Sequence, residues 1–187
     1  AADASIKGIW CVPRYSNPTG ATYSHDVVRR LAAMRTAAPD FRVFWDNAYV
    51  VHHLDDTPEP LGDIMAAAAA AGNPDRVFQF ASTSKITFAG AGISALAASE
   101  ANLAWLKQGL TFQTIGPDKI NQLRHTQVLP DAASVAVHMR KHAAILQPKF
   151  AAVEEILARE LGGTGTATWS RPRGGYFVSV DTPDGFA

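Results

Sequence analysis

Lys85 is the residue in this sequence whose side chain has the clearest chemical potential. It follows an apolar run at residues 77–81 that predicts a buried strand, and it closes the segment Ser82-Thr83-Ser84-Lys85. A lysine buried without a partner is costly, and a lysine amine can form a Schiff base with an aldehyde. Taken alone, the pattern favours an ordinary surface lysine at the end of a strand, because lysines are usually exposed.

Two further motifs lie upstream of this lysine. They are Ser16-Asn17-Pro18-Thr19-Gly20 and Asp46-Asn47-Ala48-Tyr49. The intervals from Asn17 to Asp46 and from Asp46 to Lys85 each match the length of a strand–helix–strand unit in a parallel sheet, which takes roughly 30 residues or more. The order and spacing of the motifs therefore favour three strands of one parallel sheet.

Apolar and β-branched runs predict where these strands lie. The strands before the three motifs are predicted over residues 6–12, 41–45 and 76–81, and another is predicted over 93–99. In open parallel α/β sheets, ligands bind beyond the carboxyl ends of the strands. We therefore expect the three motifs to meet at one edge of the sheet.

Helices are predicted from apolar periodicity and capping residues. Ser24 is a candidate N-cap for a helix that ends near residue 38, and Gly72 is a candidate C′ residue after a helix over 61–71. Pro148 is expected to kink or divide a long helical pattern over 131–161. The remaining predictions are helices over 100–108 and 117–126, a turn at 162–165, and short strands over 167–169 and 176–180.

The composition is that of a globular soluble protein. The 187 residues are 47% hydrophobic and 18% charged, and the formal net charge is zero. Because there is no basic excess, neither a nucleic-acid nor a membrane partner is expected. The single cysteine, Cys11, excludes an internal disulfide and fits a reducing compartment, so a cytoplasmic location is expected. The adjacent His52 and His53 point apart, and no metal site is expected from them.

Together the three motifs resemble those of the fold-type I pyridoxal-phosphate-dependent aminotransferases of class I/II, and the resemblance covers residues 6–177. The segments CVPRYSNPTG, DNAYVVHHL and STSKITFAGAG most resemble a distinct branch of the aspartate aminotransferases. The resemblance implies an α/β fold with a mainly parallel sheet between helices. Residues 1–130 would form part of the large cofactor-binding domain. Residues 131–187 would form the interdomain helix and the start of a smaller α/β domain.

The resemblance also assigns chemistry to two of the motif residues. Lys85 resembles the catalytic lysine that binds the aldehyde of pyridoxal 5'-phosphate and later moves a proton between the substrate α-carbon and the cofactor C4′. Asp46 resembles the aspartate that pairs with the pyridine nitrogen and keeps it protonated. From the residues alone, an aspartate that caps a helix or stabilises a turn is favoured over a cofactor contact.

The other cofactor contacts are assigned in the same way. Tyr49 and Asn17 resemble donors to the cofactor O3′, and Asn17 also resembles a substrate-carboxylate contact. Ser82 and Ser84 resemble hydroxyls near the phosphate. Each has an ordinary alternative: a core aromatic for Tyr49, an Asn-Pro turn for Asn17, and strand-end capping for the two serines.

One position departs from the family pattern. Many members carry an arginine eight residues after the lysine, where it pairs with the phosphate, but this sequence has Ile93 there, and residues 86–106 contain no Lys or Arg. The phosphate would then depend on backbone N–H groups, hydroxyls and a helix N-terminus. A segment before residue 1 or a neighbouring subunit would be another source of charge.

The resemblance further implies that segments before and after these 187 residues complete the protein, including the arginine that binds the substrate α-carboxylate. The chain alone is therefore expected to be inactive. The function implied is amino transfer between an amino acid, preferably aspartate, and a 2-oxo acid such as 2-oxoglutarate, by a homodimer. The alternatives are an aromatic or neutral amino-acid aminotransferase, a lyase, the aminotransferase-like effector domain of a transcriptional regulator, or a cofactor-free interaction module.

Overall fold

The structure is a computed structural model that describes residues 2–185. Its strands are short and its last helix is long. In chain order, the elements are β1 (Gly8–Cys11), α1 (His25–Ala33), β2 (Arg42–Asp46), α2 (Ile64–Ala70), β3 (Val77–Ser82), β4 (Ser94–Ala98), α3 (Glu100–Gln113), α4 (Lys119–Val128), α5 (Ala132–Leu161), β5 (Thr168–Trp169) and β6 (Val180–Asp181). No helix within residues 2–185 is both long and apolar enough to cross a membrane.

Four strands form one sheet in the order β1-β2-β3-β4. The pairs β1–β2 and β2–β3 are parallel, with Trp10 opposite Phe44 and Phe44 opposite Phe78. Strand β4 runs antiparallel to β3, with Ser94 opposite Ser82. The α/β class with a mainly parallel sheet is thus confirmed, and the predictions for these four strands are right to within two residues at each end.

The chain divides into two compact units, which are described separately below. The first unit holds the four-stranded sheet, and the second holds the long helix and the β5–β6 pair. The first unit takes in the chain up to Pro13, Tyr23–Ala48 and Pro60–Pro130, and the second takes in Arg14–Thr22, Tyr49–Glu59 and the chain from Asp131 onward. The large and small domains predicted over 1–130 and 131–187 stay a prediction.

One face of the sheet packs on helices α1 and α2 to form the core of the first unit. Strand residues Val43, Trp45 and Val77 are each 1% exposed or less, and they cluster with Val28 of α1 and Ile64 of α2. A fully buried Val, Leu or Ile side chain contributes roughly 1.5–3 kcal/mol. Asp46, the last residue of β2, directly follows Trp45 of this core.

The opposite face of the sheet carries a row of aromatic rings. Trp10 stacks on Phe44 with 5.4 Å between ring centroids and on Phe80 with 5.6 Å. Phe44 also stacks on Phe78, at 5.9 Å. The rings share one face because side chains alternate along each strand and the registers bring these positions side by side.

Helix α1 ends earlier than predicted, at Ala33 rather than near residue 38. Two side chains from the segment before β3 donate hydrogen bonds to the carbonyl oxygens at the end of α1. Asn73 donates from Nδ2 to the oxygen of Ala32 at 3.0 Å, and the Arg76 guanidinium donates to the oxygens of Ala32 and Met34. Free C-terminal carbonyls are thereby satisfied, and the chain leaves the helix at Met34. Helix α3, in contrast, is longer than predicted: it continues to Gln113, whereas its predicted end was residue 108.

The capping predictions for α1 and α2 hold. Ser24 caps α1 by accepting a hydrogen bond from the amide of Val27 at 3.3 Å. Gly72 follows α2 with a φ of 75°, the left-handed conformation that glycine adopts without steric cost. Helix α2 itself starts at Ile64, because Asp63 accepts hydrogen bonds from the amides of Met65 and Ala66.

In the second unit, helix α5 runs for 30 residues, so Pro148 does not divide it, and the alternative of a kink at Pro148 stays a prediction. The Asp131 side chain caps it by accepting from the Ser134 amide at 2.7 Å. Halfway along, Gln147 donates from its side chain to the oxygen of Leu54. The strand predicted over 176–180 is also wrong, because β6 begins only at Val180 and Tyr176 lies in a bend.

Candidate active site

In the first unit, Asp46 ends β2 beside the middle of β3. Its register partner is Phe80, and the next amide, that of Asn47, donates to the oxygen of Phe80 at 2.9 Å. The indole Nε1 of Trp10 donates to Oδ2 of Asp46 at 3.3 Å. Asp46 is half-buried, so its carboxylate is held by one neighbour and remains reachable from solvent.

The serines and the lysine follow directly on β3. Ser82 is the last residue of that strand, and its Oγ donates to Oγ of Ser84 at 3.3 Å. Lys85 lies in the turn that begins at Ser84, and both residues are exposed. A side chain at Gly92 would come within 3.0 Å of the amide nitrogen of Ser84, so only a glycine allows the two backbones to approach this closely.

Four of the six predicted site residues therefore lie at the carboxyl ends of two neighbouring strands. Ser82 is two residues beyond Phe80, the partner of Asp46, so both side chains emerge on the same face of the sheet. Ser84 and Lys85 continue from that point. The edge on which the sequence predicts a ligand site thus brings together a carboxylate, two hydroxyls and an amine.

Asn47 adds a polar atom that the sequence analysis did not use. The residue is 8% exposed, and within residues 2–185 its Oδ1 is buried without a hydrogen-bond partner. A buried unpaired acceptor costs about 1–3 kcal/mol, and Asn47 continues the alternation of buried residues set by Val43 and Trp45, on the face opposite to Asp46. The donor and acceptor set of this edge is consistent with pyridoxal 5'-phosphate, although no cationic side chain occurs in residues 86–106.

In the second unit, Asn17 lies in an exposed turn. The amide of Ser16 donates to the oxygen of Ala21 at 3.0 Å, and the amide of Gly20 donates to the oxygen of Ser16 at 2.6 Å. Gly20 has a φ of 71°, and a Cβ there would be 2.7 Å from Cβ of Pro172. The glycine therefore allows the turn to close tightly and leaves the Asn17 side chain at the surface.

Tyr49, also in the second unit, is a buried aromatic residue with 4% exposure. Its ring makes edge contacts with His52, Tyr176 and Phe177 at centroid distances of 5.6, 5.9 and 6.0 Å. Aromatic pairs of this kind contribute about 0.5–1.5 kcal/mol beyond the burial of their area. Burial also raises the pKa of Tyr176.

The residue before the Asn17 turn is fixed by a hydrogen bond to a histidine. Tyr15 has a φ of 51°, which is uncommon outside glycine, and its hydroxyl lies 2.8 Å from Nδ1 of His53. Burial raises the pKa of Tyr15 and lowers the pKa of His53, so both side chains are neutral at pH 7. The pair anchors the start of the turn without a charge.

Gly174 lies against this pair, and we predict that Gly174→Ala destabilises the protein by about 1–3 kcal/mol or more. A Cβ at residue 174 would overlap the Tyr15 ring and the oxygen of His52. Urea unfolding of the full-length protein measures the loss. Gly116→Ala is the matched control, because apart from its two chain neighbours no described residue has an atom within 4 Å of its Cβ position. Equal stability of the two variants would contradict the prediction.

Two residues with a structural link to this site were missed from the sequence. Trp10 contacts Asp46 from the neighbouring strand, and it belongs to none of the three sequence motifs. His125 on α4 contacts the turn that bears Lys85, from 40 residues further along the chain. The strand register could have pointed to Trp10, whereas no local pattern pointed to His125.

The fold is that of the pyridoxal-phosphate-dependent aminotransferases. A crystal structure of an aspartate transaminase from Corynebacterium glutamicum matches it with a TM-score of 0.94 at 51% sequence identity, over 98% of this chain and 43% of that one. The sequence model of the aspartate amino-transferase family matches residues 1–187. The chain therefore belongs to the aspartate aminotransferase family.

Proteins with similar sequences support the same family assignment. A Mycolicibacterium smegmatis protein assigned to the aminotransferases is 58% identical over 188 residues, which is 100% of this chain and 44% of the relative. The Corynebacterium glutamicum aspartate aminotransferase is 52% identical over 182 residues, 97% of this chain and 42% of the relative. The chain thus spans less than half the length of the curated relatives it matches.

Proposed function

We propose that the full-length protein is a pyridoxal-phosphate-dependent aminotransferase that transfers an amino group from aspartate to a 2-oxo acid such as 2-oxoglutarate. The observation that carries this proposal is the position of the Lys85 turn at the end of β3, beside the strand that ends at Asp46. An amine and a carboxylate at one sheet edge are the two groups that this chemistry requires from the protein.

Lys85 would perform the proton transfer. When bound, pyridoxal 5'-phosphate supplies an aldehyde and a ring that accepts the electron pair left on the substrate α-carbon. The Nζ of Lys85 would bind the aldehyde carbon in the resting protein. Once substrate has displaced it, the free amine would carry the proton from the α-carbon to C4′. The exposure of Lys85 leaves its side chain room to make both contacts.

Asp46 would hold the proton on the pyridine nitrogen. An ionised carboxylate next to that nitrogen favours its protonated form. Trp10 donates to Oδ2, so Oδ1 is the oxygen left for the nitrogen. Asn17 and Tyr49 would donate to the cofactor O3′, and Asn17 would also contact the substrate carboxylate.

The phosphate would be bound by hydroxyls and backbone amides. Ser82 and Ser84 supply the hydroxyls at the end of β3, and a cation would have to come from outside residues 86–106. A homodimer is part of the proposal, because a neighbouring subunit is one source of that charge. Sedimentation of the full-length protein tests the dimer.

The preference for aspartate is supported by the match to the aspartate amino-transferase family and by the Corynebacterium glutamicum relatives, which are an aspartate aminotransferase and an aspartate transaminase. Among more distant proteins that share the fold, a Thermus thermophilus α-aminoadipate aminotransferase was crystallised with N-(5'-phosphopyridoxyl)-L-leucine; its TM-score is 0.74 at 24% identity. That protein supports the fold alone and leaves the donor to be tested.

A donor panel with the purified full-length protein tests the proposal. We expect a visible absorption band with pyridoxal 5'-phosphate, and a kcat/KM for aspartate with 2-oxoglutarate at least about tenfold above those for aromatic and neutral donors. Faster transfer from an aromatic or neutral amino acid would make that amino acid the proposed donor instead of aspartate. Elimination instead of transfer would make the protein a lyase. A protein with no band and no transfer from any donor would overturn it, and DNA binding by that protein would favour the regulator.

A further inference from the structure

The turn that carries Lys85 is organised by one residue, Thr83. The Thr83 amide donates to the oxygen of Ile93 at 2.9 Å, and the Ile93 amide donates to Oγ1 of Thr83 at 2.9 Å. The Thr83 carbonyl accepts from the amides of Ile86 and Thr87, both at 2.9 Å. Backbone and side chain of Thr83 therefore close the base of the loop in which Lys85 lies.

A histidine from helix α4 contacts the same residue. His125 Nε2 lies 2.9 Å from Oγ1 of Thr83 and 3.0 Å from Oγ1 of Thr87. The imidazole is 9% exposed, so these contacts are made away from bulk water. One turn earlier on α4, Asn121 donates from Nδ2 to the oxygens of Ala91 and Gly92, at 2.8 and 3.3 Å. Helix α4 thus holds both ends of the loop.

The partners of His125 define its tautomer. Nδ1 lies 2.9 Å from the oxygen of Asn121, which can only accept, so Nδ1 carries the proton. In the neutral ring, Nε2 is then an acceptor and takes the Thr83 hydroxyl proton. The Thr83 oxygen is in turn the acceptor for the Ile93 amide. Donors and acceptors are thus matched from Asn121 through His125 and Thr83 to Ile93, which strengthens each of these hydrogen bonds. The Thr87 hydroxyl has the oxygen of Thr83 as another acceptor, at 3.2 Å.

We propose that His125 is a positioning residue for Lys85: through Thr83 it holds the loop so that the amine is presented to the cofactor. This inference rests on the proposed function, because it takes Lys85 as the group that binds pyridoxal 5'-phosphate. Groups at a reacting site must be held to within about 0.5 Å, and a displacement of 1 Å costs about a hundredfold in rate. An exposed lysine on a loop needs such an anchor, and His125 supplies it from a helix.

The test compares three substitutions at position 125 in the full-length protein. His125→Leu removes the nearer acceptor of the Thr83 hydroxyl and leaves it the oxygen of Ile93 at 3.5 Å, and we expect the Kd for pyridoxal 5'-phosphate to rise at least about tenfold. His125→Gln keeps an oxygen near the position of Nε2 and should restore most of the affinity. His125→Asn places its polar atoms near Nδ1 only, and it should behave like the leucine variant.

Hydrogen exchange of the cofactor-free protein gives a readout that does not depend on activity. The amides of Ile86, Thr87 and Ile93 should exchange at least about tenfold faster in His125→Leu, while amides in the core strands β2 and β3 should not change. Thr83→Val is the second variant. It removes the contact to His125 together with the acceptor of the Ile93 amide, so exchange at Ile86, Thr87 and Ile93 should rise at least as much as in His125→Leu. Combining the two substitutions should add little, because Thr83→Val already removes the contact that His125→Leu removes.

The outcomes separate the inference from the proposed function. Wild-type affinity and wild-type exchange in His125→Leu would overturn the inference, as would a defect that glutamine does not restore. Faster exchange throughout the sheet would also overturn it, since His125 would then serve general stability. A wild-type protein that binds no pyridoxal 5'-phosphate would overturn the proposed function, and the exchange at residues 83–93 would still decide whether His125 holds the loop.

Discussion

Replacing Lys85 with alanine in the full-length protein is expected to lower kcat for amino transfer on the order of 10⁴-fold or more and to remove the visible band of covalently bound cofactor. The variant has neither the nucleophile for the aldehyde nor the amine that moves the proton. Because Lys85 is exposed, the free energy of unfolding of the cofactor-free protein should change by less than about 0.5 kcal/mol. The loss would therefore be chemical.

Lys85→Arg should be equally inactive, because a guanidinium keeps the charge but is not a nucleophile at neutral pH. Lys107→Ala is the matched control, since Lys107 is exposed on helix α3 and belongs to no motif. Borohydride reduction followed by peptide mass analysis should locate a pyridoxyl group on Lys85 in the wild type. Attachment at another lysine, or substantial activity in Lys85→Ala, would exclude the assigned role.

The second large effect is expected from Asp46→Asn, which should lower kcat by about a hundredfold or more, in the range found when one electrostatic contact to the reacting group is lost. Asparagine has the size of aspartate and keeps an oxygen for the Trp10 indole, so the strand end should stay intact. Only the negative charge that favours a protonated pyridine nitrogen is removed.

The control for this substitution is Asp40→Asn, which makes the same chemical change on an exposed carboxylate that Lys7 binds at 2.8 Å. Surface ion pairs of this kind contribute about 0–1 kcal/mol, and kcat should not change. The measurement is steady-state kinetics with the absorption spectrum of the bound cofactor. If Asp46→Asn kept wild-type kcat and spectrum, the carboxylate would be an ordinary strand-end residue.

The strands, and the placement of the four first-unit candidate residues at one sheet edge, could be predicted because their determinants are local. Apolar runs mark β1 to β4, and Asp46 and Lys85 each follow one of them, so the parallel arrangement brings them to one edge. The roles of Asp46, Ser82, Ser84 and Lys85 stay predictions, as do those of Asn17 and Tyr49. The surroundings of Asn17 and Tyr49 depend on Pro172 and Tyr176, which lie more than a hundred residues away along the chain.

What the sequence did not predict depends on distant partners. The end of α1 is set by Asn73 and Arg76, whose side chains donate hydrogen bonds to carbonyl oxygens about 40 residues earlier in the chain. The apolar periodicity of the helix gives no information about these distant donors. His125 was overlooked for the same reason, because its partner Thr83 lies on another element. Pro148 does not divide α5, since one missing backbone donor does not end a helix that continues for more than a turn on both sides.

The antiparallel strand β4 has a consequence for the order of folding. Residues 83 and 93 close a short loop, whereas β1–β2 and β2–β3 pair only after crossovers that bring together residues more than 30 positions apart. Short loops cost less entropy to close, and contacts of low sequence separation form faster. We therefore expect the β3–β4 hairpin to form before the parallel pairings. A refolding chain would then close the loop that carries Lys85 before the strand that ends at Asp46 has docked beside it, and helix α4 would add its contacts to that loop later.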